Sequence, residues 1–91
     1  MNAHELFEEA GRHDTGGRPA EAIRLYEQAL AAGLGEDERP RALLQLGSSL
    51  RNVGRIDEAV AMLQEALAEL LNAIADEGAY ERSLRAYAAA L

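Results

Sequence analysis

The two histidines are the side chains best suited to metal binding or proton transfer, and their spacing disfavours both roles. His4 and His13 lie nine positions apart on one predicted helix, whereas two metal-ligating histidines of a helix usually lie three or four positions apart. Glu8 follows His4 by four positions, but two ligands do not make a metal site. The chain has no Cys, so thiolate ligands, disulfides and cysteine nucleophiles are excluded. We expect neither a metal nor a cofactor.

The other residue types that carry catalysis lack the surroundings they need. Ser48 and Ser49 have no base nearby in the sequence and no strand-to-helix elbow that would expose a nucleophile. The glycines at positions 16, 17, 33 and 35 follow predicted helices, whereas a phosphate-binding loop follows a strand. The sequence therefore predicts a protein that is not an enzyme.

A fourteen-residue sequence motif that occurs twice predicts the helices that position these side chains. Residues 17–30 align with residues 54–67 at an offset of 37, and Gly, Arg, Glu, Ala, Ala and Leu recur at matching positions. A period of this length is typical of stacked helical hairpins, which usually present a binding surface.

Apolar residues recur with the 3.6-residue period of the α-helix. Five helices are predicted, at about 3–14, 19–32, 38–53, 56–71 and 79–91, and residues 72–78 either extend the fourth helix or form a loop. The links between helices are short, so consecutive helices are expected to be antiparallel neighbours. The third helix is expected to bury Leu43, Leu46, Gly47, Leu50 and Val53, and the fourth Ala59, Val60, Leu63, Ala66, Leu67 and Leu70.

Length and charge limit the class of partner. Ninety-one residues allow one small domain, and a formal net charge of −7 disfavours non-specific binding to nucleic acid or to an anionic membrane surface. No signal peptide is visible at the start of the sequence, and the longest apolar stretch, residues 66–75, is too short to span a bilayer. We expect a cytoplasmic protein that binds neither nucleic acid nor membrane.

The repeated residues resemble the tetratricopeptide repeat, a pair of antiparallel helices. The family's first-helix pattern matches Leu43-x-x-Leu46-Gly47-x-x-Leu50. Four further positions of the family's pattern are a turn glycine, a small residue early in the second helix, a bulky residue and a later alanine. In this order they match Gly17, Ala22, Tyr26 and Ala29 in the first repeat. In the second repeat they match Gly54, Ala59, Leu63 and Ala66. Residues 42–55 are also similar to a bacterial subgroup of the family that has no general assigned chemistry.

The resemblance implies an all-α fold, a right-handed α–α superhelix of two hairpins plus a C-terminal helix. Residues 1–91 would form a single domain, with repeat 1 at about 3–35, repeat 2 at about 38–71, and a terminal helix at about 79–91 as half of a third repeat. Gly47 and Ala59 are expected to let two helix backbones approach closely. The period of 37 exceeds the common repeat length of about 34, and the extra residues fall at 33–39.

The resemblance also implies where a partner would bind, because the first helix of each hairpin lines a concave face in this family. The candidate peptide-binding residues are Phe7, Arg41, Leu44, Gln45, Ser48, Asn52, Arg82 and Arg85, with His4, Glu8, Gly11 and Ala89 on the same face. Phe7 and Leu44 would be apolar anchors. Arg41, Arg82 and Arg85 would capture an acidic peptide or a C-terminal carboxylate, or would simply be solvated at the surface or pair with Glu. The family's Lys-containing carboxylate clamp is not reproduced, because the chain has no Lys.

Two functions follow as alternatives. The first is a non-catalytic module that binds a protein or peptide on the concave face. The second is self-association as a homodimer through the uncovered terminal helix, whose exposed side chains would be Tyr80, Leu84, Tyr87 and Leu91. The sequence leaves both open.

Overall fold

The computed structural model describes residues 1–74 and Ala89, and four α-helices account for most of this range. The helices are α1 (Ala3–Thr15), α2 (Pro19–Ala32), α3 (Arg39–Asn52) and α4 (Ile56–Ile74). No strand occurs among the described residues, so the predicted all-α class is confirmed. The open question about residues 72–78 is answered in part, since α4 continues to Ile74. The predicted fifth helix, 79–91, lies outside the described residues apart from Ala89.

Local sequence signals account for the helix ends. Asn2 caps α1, because its side-chain oxygen accepts a hydrogen bond from the Glu5 backbone N–H at 2.8 Å while Glu5 accepts one from the Asn2 N–H at 3.0 Å. Pro19 and Pro40 lie in the first turns of α2 and α3, where a missing N–H is harmless. Gly33 ends α2 with a left-handed backbone, at φ of 93°, which glycine adopts without strain.

Small residues bring consecutive helices close together. α1 packs on α2, α2 on α3, and α3 on α4, and the buried alanines at these contacts are Ala10, Ala22, Ala29, Ala42, Ala59 and Ala66. A Cβ atom added to Gly47 would lie 3.0 Å from the Leu63 Cγ and 3.3 Å from the Ala59 carbonyl oxygen. The predicted close approach at Gly47 and Ala59 is therefore confirmed.

Burial on α3 follows the predicted stripe with one exception. Leu43, Leu46 and Leu50 are almost fully buried, whereas Val53 is 39% exposed. The prediction for Val53 was wrong because α3 ends at Asn52, so the next residue leaves the helical register that directs the stripe inward.

The prediction for α4 was wrong for three of its side chains. Val60, Leu63 and Leu67 were expected to be buried, but they are 47%, 40% and 55% exposed, whereas Ala59 and Ala66 are buried. The apolar arc of α4 is wider than its contact with α3, in which Ala59 and Ala66 are buried and the Leu63 side chain lies against Gly47. The exposed apolar side chains run along the helix and are here called the α4 apolar face: Ile56, Val60, Leu63, Leu67 and Leu71.

Gly47 and Gly11 provide a matched pair of substitutions in helix interiors. Gly47→Leu is expected to lower the free energy of unfolding by about 2 kcal/mol, because the added side chain overlaps Leu63 and the Ala59 carbonyl. Gly11→Leu is expected to raise it by about 0.5–1 kcal/mol, since a Cβ atom there meets no atom within 4 Å and Leu forms helix better than Gly. Urea denaturation measures both changes. Equal effects of the two substitutions would contradict the close approach at Gly47.

Candidate functional site

Two neighbouring recesses form one groove between α1 and α3. The larger, of about 470 Å³, is lined by Phe7, Glu8, Gly11, Arg12, Thr15, Arg41 and Gln45. The smaller, of about 280 Å³, is lined by Gly11, Asp14, Thr15, Tyr26, Leu44, Gln45 and Ser48. Because the recesses share Gly11, Thr15 and Gln45, we treat them together as the α1–α3 groove and call them the Arg41 recess and the Asp14 recess.

The repeat places equivalent positions on the two sides of the groove. At the offset of 37, Phe7 on α1 corresponds to Leu44 on α3, and Gly11 corresponds to Ser48. All four residues line the groove. The groove is therefore built from the same face of the first helix in each hairpin.

Arg41 is a partly buried cation without an anionic partner among the described residues. Its guanidinium carbon lies 5.4 Å from the centre of the Phe7 ring, a cation–π distance. Its Nε is shielded from solvent and has no hydrogen-bond partner in the described part of the chain. Buried polar groups normally have such partners, so this arginine retains an unused hydrogen-bond donor.

The other charged side chains of the Arg41 recess are already paired. Glu8 Oε1 lies 2.8 Å from His4 Nε2, and Arg12 pairs with Glu9 at 2.9 Å. Elsewhere in the described range Arg18, Arg39 and Arg55 also have carboxylate partners. These arginines are therefore neutralised within the chain, whereas no described carboxylate lies within ion-pair distance of Arg41.

The Phe7 side chain is buried at the base of the groove and does not extend into it. The side chain is 7% exposed, and its ring centre lies 6.0 Å from that of Tyr26, with the rings tilted by 53°. Phe7 therefore forms the base on which Arg41 rests. Leu44, predicted as the second anchor, is half-buried and lines the Asp14 recess.

The Tyr26 hydroxyl joins three helices beneath the groove. Tyr26 of α2 is fully buried, and its hydroxyl donates to Gln45 Oε1 of α3 at 2.6 Å. Asp14 Oδ2 of α1 lies 3.3 Å from the same hydroxyl. Burial raises the pKa of Tyr26, and the charge of Asp14 and its hydrogen bond raise this pKa further. The phenol therefore stays protonated and acts as a donor at neutral pH.

The remaining predicted positions are placed as follows. Asn52 is exposed at the end of α3 and does not line either recess. His4 contacts Glu38, just before α3, with its Nδ1 atom 2.5 Å from the carboxylate. That contact, with the nearby charges of Glu38 and Glu8, raises the pKa of His4. The other predicted residues lie outside the described range: Arg82, Arg85, Tyr80, Leu84, Tyr87 and Leu91.

The sequence pattern matched Tyr26 to the bulky residue of the repeat, but it gave no polar role to Tyr26 and did not include Asp14 or Thr15 in the site. One signal was present, because the hydroxyl of a buried Tyr usually finds a hydrogen-bond partner. Among the described residues, no three His, Asp or Glu side chains converge to hold a metal. Within that same range, no helix has the length and hydrophobicity needed to cross a membrane.

The family is shown by comparison with known proteins. A family profile described as Tetratrico peptide repeat matches residues 3–65, and one described as Tetratricopeptide repeat matches residues 42–91. The chain therefore belongs to the tetratricopeptide repeat family. Searches of curated proteins and of solved structures returned no match. Tetratricopeptide repeats generally mediate protein–protein interactions, and proteins of the family are typically non-catalytic interaction modules.

Ionisation of Tyr26 should lower the free energy of unfolding at alkaline pH. Its folded pKa is raised, while the unfolded value is about 10. The stabilisation by the neutral phenol is therefore complete below about pH 10 and is lost as the pH rises above it. Urea denaturation at about pH 8 and pH 11 measures this loss. Between these pH values the free energy of unfolding should fall by about 1 kcal/mol less for Tyr26→Phe than for the wild type. Equal losses in the two proteins would contradict the buried donor role.

Proposed function

We propose that the chain binds a peptide segment of another protein in the α1–α3 groove, with an acidic group of that segment paired to Arg41. The acidic group is an Asp or Glu side chain or a C-terminal carboxylate. The observation that carries this proposal is the state of Arg41, a partly buried cation over Phe7 whose Nε has no partner among the described residues.

A carboxylate suits this site on chemical grounds. The guanidinium group presents donors in a planar fork that matches the two oxygens of a carboxylate. Phe7 beneath the guanidinium limits its hydration on one side, and an ion pair is stronger where water is partly excluded. The neighbouring carboxylate Glu8 is engaged by His4, so the guanidinium charge of Arg41 is not neutralised by it and is left for a partner.

The rest of the groove supplies contacts of other kinds. Leu44 offers a half-buried apolar wall, and Ser48 offers an exposed hydroxyl. Gly11 has no side chain, so at this position α1 leaves space in the groove. The groove thus combines the unpaired charge of Arg41 with apolar surface and polar groups, a mixture that fixes a peptide in one orientation.

A peptide selection tests the proposal. Peptides selected from a random library on the whole chain are expected to be enriched in Asp and Glu. Arg41→Gln should weaken the binding of a selected peptide by about tenfold or more, since a hydrogen-bonded charge pair contributes about 1.5–3 kcal/mol. Fluorescence anisotropy with labelled peptide measures the dissociation constants.

Arg51→Gln is the matched control for Arg41→Gln. Arg51 lies on the same helix, is exposed, has no ion-pair partner among the described residues and lies outside both recesses. Its substitution should change affinity by less than about twofold, as expected for a solvated surface charge. Selected peptides without acidic groups, or equal losses for the two variants, would refute the role of Arg41.

A second candidate function is self-association, which the α4 apolar face favours. Monomeric proteins rarely expose a contiguous stripe of large apolar side chains, and this one runs from Ile56 to Leu71. Residues Tyr80, Leu84, Tyr87 and Leu91 repeat the spacing of Ile56, Val60, Leu63 and Leu67. We propose residues 79–91 of a second copy as the occupant of this face.

The energetics favour a weak dimer. Burial of a large apolar side chain contributes about 1.5–3 kcal/mol, so four such residues contribute roughly 6–12 kcal/mol. The loss of translational and rotational freedom on association opposes this gain by about 4–15 kcal/mol. We therefore expect a dimer that dissociates on dilution.

Sedimentation velocity over a concentration series tests self-association. The wild type should shift from monomer to dimer as concentration rises, and the double substitution Val60→Glu with Leu67→Glu should remain monomeric, because two charges would be buried in the interface. A wild type that stays monomeric at high concentration would contradict the dimer. If Leu67→Glu then also lowered the stability of the monomer, the face would be covered by the same chain.

A further inference from the structure

We infer that the Asp14 recess is a second subsite of the groove and that it takes a cationic hydrogen-bond donor, the guanidinium or ammonium group of a basic side chain. The inference rests on the proposed function in one respect, since the basic side chain is taken to belong to the segment that pairs with Arg41. The segment would then carry charges of both signs.

The side chains of the recess provide acceptors and one negative charge. Asp14 is the charged residue in its lining, and no arginine or histidine lines it. The Tyr26 hydroxyl lies 2.6 Å from Gln45 Oε1 and 3.3 Å from Asp14 Oδ2, so it occupies at most one acceptor position of the Asp14 carboxylate. Among the described residues no cation lies within salt-bridge distance of Asp14. The carboxylate therefore retains most of its capacity to accept hydrogen bonds.

The size and wall of the recess fit the end of a long basic side chain. The recess has a volume of about 280 Å³ and is partly open, so a side chain can enter it. Its lining includes Leu44, which offers apolar surface to a methylene stem, and Asp14 and Ser48, which offer oxygen acceptors to a charged head. Lys and Arg side chains commonly bury the stem and keep the head among polar groups in this way.

Gly11 connects the two subsites. It lies inside α1, where glycine weakens a helix relative to alanine, and packing does not require it, since an added Cβ would meet no atom within 4 Å. Gly11 lines both recesses. The absence of a side chain at this position leaves a passage through which a partner backbone can cross from Arg41 to Asp14.

The net charge of the protein favours the second subsite. A formal charge of −7 repels a purely acidic segment at long range and attracts a basic group. A segment that carries both signs is recognised at Arg41 by its carboxylate and at Asp14 by its cation. The two subsites together therefore select against polyacidic and polybasic partners alike.

Small probes separate the two subsites by NMR. N-acetyl-argininamide is titrated into the ¹⁵N-labelled chain, with N-acetyl-citrullinamide as the uncharged probe of the same shape. We expect saturable shifts of the Gly11, Thr15 and Ser48 amide signals with the arginine probe. Binding of the citrulline probe should be about tenfold weaker, because the charge-assisted hydrogen bond is lost. Equal responses to the two probes, or no saturable response, would overturn the inference.

Variants assign the response to the carboxylate. Asp14→Asn should weaken binding of the arginine probe by about tenfold, whereas Asp57→Asn, an exposed substitution at the start of α4, should leave it unchanged. An unaltered response of Asp14→Asn would overturn the inference. The comparison of probes on the wild type keeps the test valid if that variant fails to fold.

A parallel titration with sodium acetate tests the proposed function separately. Acetate should produce saturable shifts of the Phe7 and Glu8 amide signals, which belong to the Arg41 recess alone, and Arg41→Gln should abolish this response while leaving the arginine response. If the wild type responds to the arginine probe but not to acetate, the pairing at Arg41 is refuted and the Asp14 subsite is supported. The reverse pattern would support Arg41 and refute the Asp14 subsite.

Discussion

The buried hydroxyl of Tyr26 has to find an acceptor inside the protein, and the geometry of the groove depends on how it does so. Its hydrogen bond to Gln45 crosses from the first hairpin to the second, and its contact with Asp14 reaches back to α1. A buried hydroxyl without a partner would cost about 1–3 kcal/mol. The relative position of α1 and α3 is therefore constrained by a polar contact as well as by apolar packing.

Small residues and this polar contact have complementary effects. Ala22 and Ala29 on α2, with Ala10 and Ala42 on its neighbours, permit close helix packing without selecting one axial position. The Tyr26–Gln45 bond selects that position, because a hydrogen bond tolerates little displacement. A groove held in this way is preorganised, and a partner would not have to order it on binding.

The sequence predicted most of the fold because its signals are local or repeated. The offset of 37 located the hairpins, and Gly47 and Ala59 lie where the backbones approach. The family resemblance pointed to Arg41, Leu44, Gln45 and Ser48 beside the packing stripe of the third helix, and these residues line the groove. Burial on α4 was mispredicted because periodicity identifies an apolar arc but not how much of it a neighbour covers.

The polar part of the site required the three-dimensional structure. Asp14 comes from the end of α1 and Tyr26 from the middle of α2, and no spacing along the chain brings them to Gln45. Asn52, at the end of α3, is exposed and lies outside both recesses. Phe7 lines the groove, but its ring is almost fully buried and lies under the Arg41 guanidinium.

A double-mutant cycle between Tyr26 and Gln45 is the most direct test that this contact joins the two hairpins. Tyr26→Phe removes the donor and Gln45→Met removes the acceptor with little change in volume. The free energies of unfolding of the four proteins should give a coupling of about 1 kcal/mol in favour of the wild-type pair. A coupling within about 0.3 kcal/mol of zero would contradict the account, because the two side chains would then contribute independently.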